Sequence, residues 1–330
     1  MSCKVKMKKT PFNIYSDILL TNGQRIPVIA DWLMKSVWSE DNFSSKENKL
    51  YLEEGEKQVR DFEELILRAA SGVYDELTSL AKQRTNVITN ELMNTKTALV
   101  VLDGVSLREL PILIKLAAAT NYKIVEKSYR FSGLPSDTES FIEQRLLGKR
   151  ISPSQLEGRR EFSANNIKAY YYDTPMRYFD LSSNGYSFLL WSSFPDGTYM
   201  NFEARTATHF ETIVKQFDAI WKNIILAIPK DYRIIITSDH GYIYLNTGYE
   251  SSEKAELALE YLEQNRSKFV ENISQIPEIS ELQKVSDLNL LMIRGRIKNR
   301  PKGSSANKVF RHGGLSLMEV ITPYLVLERD

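Results

Sequence analysis

Apolar and polar positions along this chain change period several times, and each change marks an element. From Glu56 to about Asn94 apolar residues fall three and four apart, with Phe62, Leu65, Ile66 and Ala69 on one face. That spacing predicts one or two long helices. The stretch before Glu56 is uneven, mixing short apolar pieces such as RIPVIADWLMKSVW with the polar run SEDNFSSKEN. Beyond residue 96 short apolar runs alternate with helical patterns. TALVVLDG at 97–104 reads as a buried strand ending in Asp103-Gly104, and SLRELPILIKLAAAT as a helix with Pro111 in or near its first turn. YKIVEKSYRF is a second strand. GLPSDTESFIEQRLLG is a loop running into a helix, with Ser136 or Asp137 as N-cap and Gly148 as the stop. KAYYYD and YSFLLWSSF are further strands, followed by a helix over about 206–228 and a strand opening RIIITSDHGYIYL.

Strands alternating with helices predict an α/β fold, a mostly parallel central sheet with helices on both faces. Residues 249–310 break the rhythm, charged and helical first, then basic and turn-rich. They read as an insertion, a candidate lid. FRHGGLSLMEVITPYLVLE then returns to the core with a helix and a strand. The expected organisation is a helical prefix over 1–95 and a main domain over 96–330 interrupted at about 249–310. No internal repeat is visible.

Composition narrows the class. The 330 residues suffice for one large domain with insertions or for two. With 43 basic and 42 acidic residues, no global field draws the chain to nucleic acid or anionic membrane. Cys3 is the only cysteine, which excludes an internal disulfide and a cysteine-built zinc site and fits a reducing cytoplasm. The opening MSCKVKMKKTPFNIYSD is basic without an apolar stretch behind it, and no apolar run approaches the ~20 residues of a membrane helix. The expectation is a soluble cytoplasmic protein.

In an α/β sheet, ligands bind beyond the carboxyl ends of the strands. Asp103 ends one strand, Asp239 and His240 end another, Asp196 follows the YSFLLWSSF strand, and His312 precedes Gly313-Gly314. Each has an ordinary reading. Asp-Gly and Pro-Asp-Gly are turn sequences, and His312 could cap or pack. His209, on a helix, reads as structural. Independent turns, however, have no reason to supply carboxylate and imidazole at one edge of one sheet. Those groups are zinc ligands.

The order of these pieces resembles the alkaline phosphatase superfamily, and within it the PglZ branch. The resemblance rests on VVLDG at 100–104, LPSDTESFIEQRLLG at 134–148, IITSDHGYIYL at 235–245 and RHGGLSLMEVITPYLVL at 311–327. It spans about residues 97–330, apart from 249–310. It implies that Asp103, Asp239 and His240 are ligands of a metal beside the nucleophile. Thr138 is similar to the threonine nucleophile, which also touches that metal, and Asp196 and His312 to ligands of a second ion. A threonine hydroxyl is a poor nucleophile until a dication lowers its pKa, and a helix start offers N–H groups to phosphate. Ser136 and Ser106 are rival hydroxyls. Ser106 follows Asp103 too closely to be the first choice, and Ser136 reads as a helix cap rather than as the nucleophile.

The implied activity is a metal-dependent phosphoesterase, phosphodiesterase or phosphatase, with a covalent phosphothreonine intermediate and a phosphate-ester substrate, nucleotides among the candidates. The implied cofactor is one or two divalent ions, zinc first, with manganese or magnesium as alternatives. The superfamily usually has a further ligand about four residues after the aspartate matched to Asp196. Here that position is Met200, beside Asn201, and thioether is a poor ligand in an oxygen and nitrogen site. His209 or Glu203 could substitute only with a different loop arrangement. The departure keeps open a weak or silent subunit acting as a binding component among protein partners of a phage-defence system such as BREX. A phosphomutase has less support, and the sulfatase nucleophile motif is absent near Thr138. The basic RGRIKNRPK stretch reads as a solvated loop rather than a phosphate-binding surface.

Overall fold

The computed structural model describes residues 14, 16–18, 21, 24–83, 87–94, 96–174, 176–182, 185–199, 206–249, 252–299 and 310–329. Its centre is a six-stranded sheet of β1 (Thr97–Leu102), β2 (Tyr122–Phe131), β3 (Ile167–Tyr172), β4 (Ser187–Ser192), β5 (Arg233–Thr237) and β11 (Ile321–Arg329), in the order β2-β11-β5-β1-β4-β3, while β6 (Ile243–Tyr244) and β10 (Phe310–Arg311) pair with each other apart from it. β5, β1, β4 and β3 pair in parallel, and β11 runs antiparallel between β5 and β2. The sheet is therefore mostly parallel, and the carboxyl ends of β1, β4 and β5 share one edge.

Two-residue side-chain alternation divides the central strands between two cores. Ala98, Val100 and Leu102 join Phe188, Leu190, Ile234 and Ile236 on one face. Leu99 and Val101 join Leu189, Trp191, Ile235, Tyr324 and Val326 on the other. Every residue of β1 and β4 is buried, so these strands read as continuous apolar runs.

The segment before Glu56 is more helical than its uneven pattern suggests, with helices at Arg25–Trp32, Glu40–Ser45 and Asn48–Ala69. Pro27 lies in a first turn, where a missing N–H costs little, and a π-helical stretch at Leu33–Val37 breaks the 3.6-residue period. Ser39 caps the second helix, accepting from the Asn42 N–H. At Gly55 an added Cβ would fall 2.1 Å from the Trp38 ring, so the long helix packs there only because the position is glycine. Val59, Phe62 and Ile66 on that helix, with Val73 and Leu77 on Gly72–Ala81, share the core of one sheet face.

Between β5 and β11 the chain leaves the sheet. The helix expected there is present at Glu253–Tyr261. The turn-rich remainder holds an antiparallel sheet, β7 (Ser267–Phe269), β9 (Leu290–Ile293) and β8 (Leu282–Val285), over a core of Leu259, Leu262, Leu282, Leu291 and Ile293. Over 294–299 the basic stretch is not a solvated loop. Arg296 is fully buried against Glu56 and Glu63, and Arg294 bonds Asp75 and Gln283. Residues 300–302 of that stretch lie outside the described residues.

Candidate metal centre

The loops after β1 and β5 are tied to each other before any ligand is considered. The Gly104 N–H donates to Asp239 Oδ1 at 3.0 Å, and the Val105 N–H to Ser238 Oγ at 2.9 Å. The Ser238 hydroxyl in turn donates to the His240 carbonyl. The segment after β4 joins them through the Asp196 N–H, which donates to the Asp103 carbonyl at 2.9 Å. Gly104 has φ +80°, and a Cβ there would approach Asp196 Cβ to 3.1 Å, so two requirements select glycine. Asp196 does not sit in a simple turn; it opens a short helix, Asp196–Tyr199.

Thr138 is the first residue of the helix Thr138–Phe141, which continues as π-helical turns over Ile142–Leu147 and stops at Gly148 in the left-handed conformation. Asp137 caps this helix, accepting from the Ser140 N–H at 2.7 Å. Ser136 does not. Its hydroxyl donates to the Gly314 carbonyl and accepts from the Gly313 N–H, which joins the Thr138 loop to the His312 loop. The Ser106 hydroxyl is engaged with Glu109. Both rival hydroxyls thus have other partners.

The six expected residues meet in two adjoining groups. Ligand atoms of Asp103, Asp239 and His240 all lie within 4.8 Å of one another. Thr138 Oγ1 lies 2.6 Å from Asp239 Oδ2, 3.3 Å from His240 Nε2 and 3.4 Å from Asp103 Oδ1. His312 Nε2 lies 3.7 Å from Asp196 Oδ1, and its ring stacks on that of His240 with centroids 4.1 Å apart. The first group is closed, with the side chains of Asp239 and His240 fully buried, whereas those of His312 and Asp196 keep 29% and 19% exposure.

Burial, then the charges of Asp239 and Asp196, push the Asp103 carboxyl well above its usual range. Burial pulls His240 down, but the neighbouring aspartates outweigh it and leave its pKa raised. His312 is lowered by burial and by His240. A divalent cation fits this set. It would offset the crowded carboxylate charge, and both imidazoles are oriented for it. His240 Nδ1 lies 3.0 Å from the Gly241 carbonyl and His312 Nδ1 3.4 Å from the Ser136 carbonyl, which leaves each Nε2 facing the carboxylates. Oxygen and imidazole donors suit zinc, and manganese or magnesium where oxygen dominates.

His209 is elsewhere, bonded to the Tyr244 hydroxyl and stacked on Phe310. Met200, Asn201 and Glu203 lie outside the described residues. Three participants were not anticipated. Trp191 donates to Asp103 Oδ2 at 3.4 Å, and Glu319, paired with Arg266, accepts from the Gly314 N–H. Ser316 and Glu319 form a capping box, a three-residue spacing that was available in the sequence.

Residues 196–327 match the family model described as the BREX system PglZ alkaline phosphatase-like domain. The matched segment contains Asp196, Asp239, His240 and His312, while Asp103 and Thr138 precede it. No curated protein matches the chain. Among solved structures, murine ectonucleotide pyrophosphatase / phosphodiesterase 5 is similar at 13% identity and a TM-score of 0.42, covering 71% of this chain and 88% of that one. An inactive form of that murine protein, in complex with AMP, is similar at 11% identity with the same TM-score and coverage. Among the described residues no helix is long and apolar enough to cross a membrane. Over residues 196–327, then, the chain is similar to the PglZ alkaline phosphatase-like domain of BREX systems.

Proposed function

We propose that this protein is a metal-dependent phosphoesterase with Thr138 as nucleophile. The observation that carries the reading is the convergence of Asp103, Asp239 and His240 on Thr138 Oγ1, within 3.4 Å in every case. Asp103, Asp239 and His240 would hold the ion beside Thr138, with Asp196 and His312 offering a second position. A bound dication supplies a lowered hydroxyl pKa and an offset for phosphoryl charge. The Thr138 hydroxyl donates to Asp239 Oδ2, which orients its free lone pairs and is placed to receive the proton. Oγ1 then forms a bond to phosphorus as the ester oxygen leaves with the electron pair of the broken P–O bond. Water attacks the phosphothreonine and restores the hydroxyl. The substrate is a phosphate mono- or diester, with nucleotides as candidates.

The family description supports placing this activity among the protein partners of a BREX-type system, and the single cysteine fits a reducing cytoplasm. We take residues 1–95 as a helical prefix to a domain over 96–330 that is interrupted at about 249–310. A second reading is a weak or silent binding component of such a complex. It is favoured by the sequence at the second position, where Met200 stands in place of the further ligand the superfamily usually has.

The test is hydrolysis of bis-(p-nitrophenyl) phosphate and p-nitrophenyl phosphate by wild type and Thr138→Ala, after chelation and after return of zinc, manganese or magnesium, with bound metal counted. Metal-restored turnover that the variant loses while retaining metal supports the phosphoesterase. Folded, metal-loaded wild type without turnover of either ester favours the binding component.

A further inference from the structure

The two histidine-bearing loops are held by one buried ion pair that the phosphoesterase reading does not use. Glu319 is fully buried and Arg266 almost so. They meet as a two-pronged fork, Arg266 Nε to Glu319 Oε1 at 2.6 Å and Nη2 to Oε2 at 2.8 Å. The remaining guanidinium donors reach the carbonyls of Gly295 and Ile297 and the Asn299 side chain, so all five are used.

Glu319 spends its other capacity on the metal-site loops. Its Oε1 accepts from the Gly314 N–H at 2.8 Å, two residues past His312. Its backbone carbonyl accepts from the Gly241 N–H at 2.9 Å, next to His240. Neither glycine leaves room for a side chain of its own. A Cβ on Gly241 would fall 2.1 Å from the Met318 carbonyl, and one on Gly314 2.7 Å from the Arg266 guanidinium. The inserted sheet adds backbone pairing to the same loop. The Gly295 N–H donates to the Leu315 carbonyl and the Leu315 N–H to the Ile293 carbonyl, both at 2.9 Å.

We propose that Arg266 and Glu319 are positioning residues that hold His312 against His240, so that the inserted segment helps set the geometry of the second ligand pair. The proposal rests on the metal-site reading given above. Lysine at 266 keeps the charge but loses the fork. The pair Arg266→Met with Glu319→Leu removes both charges together and so strands neither.

The chain has three histidines, and His209 serves as an internal control. Imidazole NMR signals of chelated wild type, Arg266→Lys and the double variant are compared, followed by zinc titration. The expected result is displaced His240 and His312 signals with His209 unmoved, and affinity for the second zinc ion reduced at least tenfold. Wild-type His240 and His312 signals in either folded variant would overturn the proposal. Movement of the His209 signals as well marks loss of the fold, and the other variant then decides. If wild type binds no zinc, the metal reading fails, while the chelated spectra still judge the positioning.

Discussion

Thr138 Oγ1 and Asp239 Oδ2 lie 2.6 Å apart, although 101 residues separate them in the chain. Thr138→Ala removes the hydroxyl but leaves Asp103, Asp239 and His240 in place. Hydrolysis of a phosphate ester should fall at least about a thousandfold, while the metal count by elemental analysis stays the same. Thr138→Ser keeps the oxygen and should retain part of the rate.

Asp239 also accepts the Gly104 N–H, so one carboxylate joins the metal site to the loop after β1. Bound metal should therefore raise stability as well as activity. At a hundred times its dissociation constant, an ion that binds only the folded state adds about 2.7 kcal/mol. Thermal unfolding of chelated wild type with and without zinc should show a rise in Tm, and Asp239→Asn should abolish that rise. An equal response in Asp239→Asn would remove this residue from the ligand set.

Glu56 shows what a local pattern conceals. It is buried between Arg108 Nη2, at 2.8 Å, and the Arg296 guanidinium, 240 residues away in sequence. Burial acts to raise its pKa, but the two arginines outweigh it and leave the carboxyl below its usual range. Removing the charge leaves two buried guanidinium groups short of an anion. Glu56→Gln should cost roughly 3–5 kcal/mol in urea unfolding at pH 7. A loss below about 1 kcal/mol would mean that water or another carboxylate serves the arginines instead.

The residues that meet around Thr138 could be placed together because strand ends are a local signal. Buried runs such as TALVVL and RIIIT announce where a parallel strand stops, so Asp103, Asp239 and His240 could be placed at one edge without knowing the strand order. Thr138 was legible as the start of a helix. Ser136 was not, because its partners Gly313 and Gly314 are far away in sequence. The buried arginines failed for the same reason. Arg266 and Arg296 look like surface charges until Glu319, Glu56 and Glu63 are brought to them by the fold. β7 to β9 are too short, and carry too many polar residues such as Lys268, Gln283 and Lys284, for a two-residue period to emerge.

His209 offers a pH test that does not involve the metal site. Burial, with a smaller contribution from Arg108, lowers its pKa to about 3 from the usual 6.5. The folded protein thus holds it neutral, while the unfolded chain takes up a proton below about pH 6.5. Its contribution to stability is present above that pH and is lost as pH falls toward 3. Between pH 7 and pH 5 the loss should be about 2 kcal/mol. His209→Phe keeps an aromatic ring against Phe310 and Tyr244 without a titrating group. Urea unfolding of both proteins across that window should show wild type losing about 2 kcal/mol more than the variant. Parallel pH profiles would show that His209 can be protonated in the folded state, through local opening of the packing between Tyr244 and Phe310.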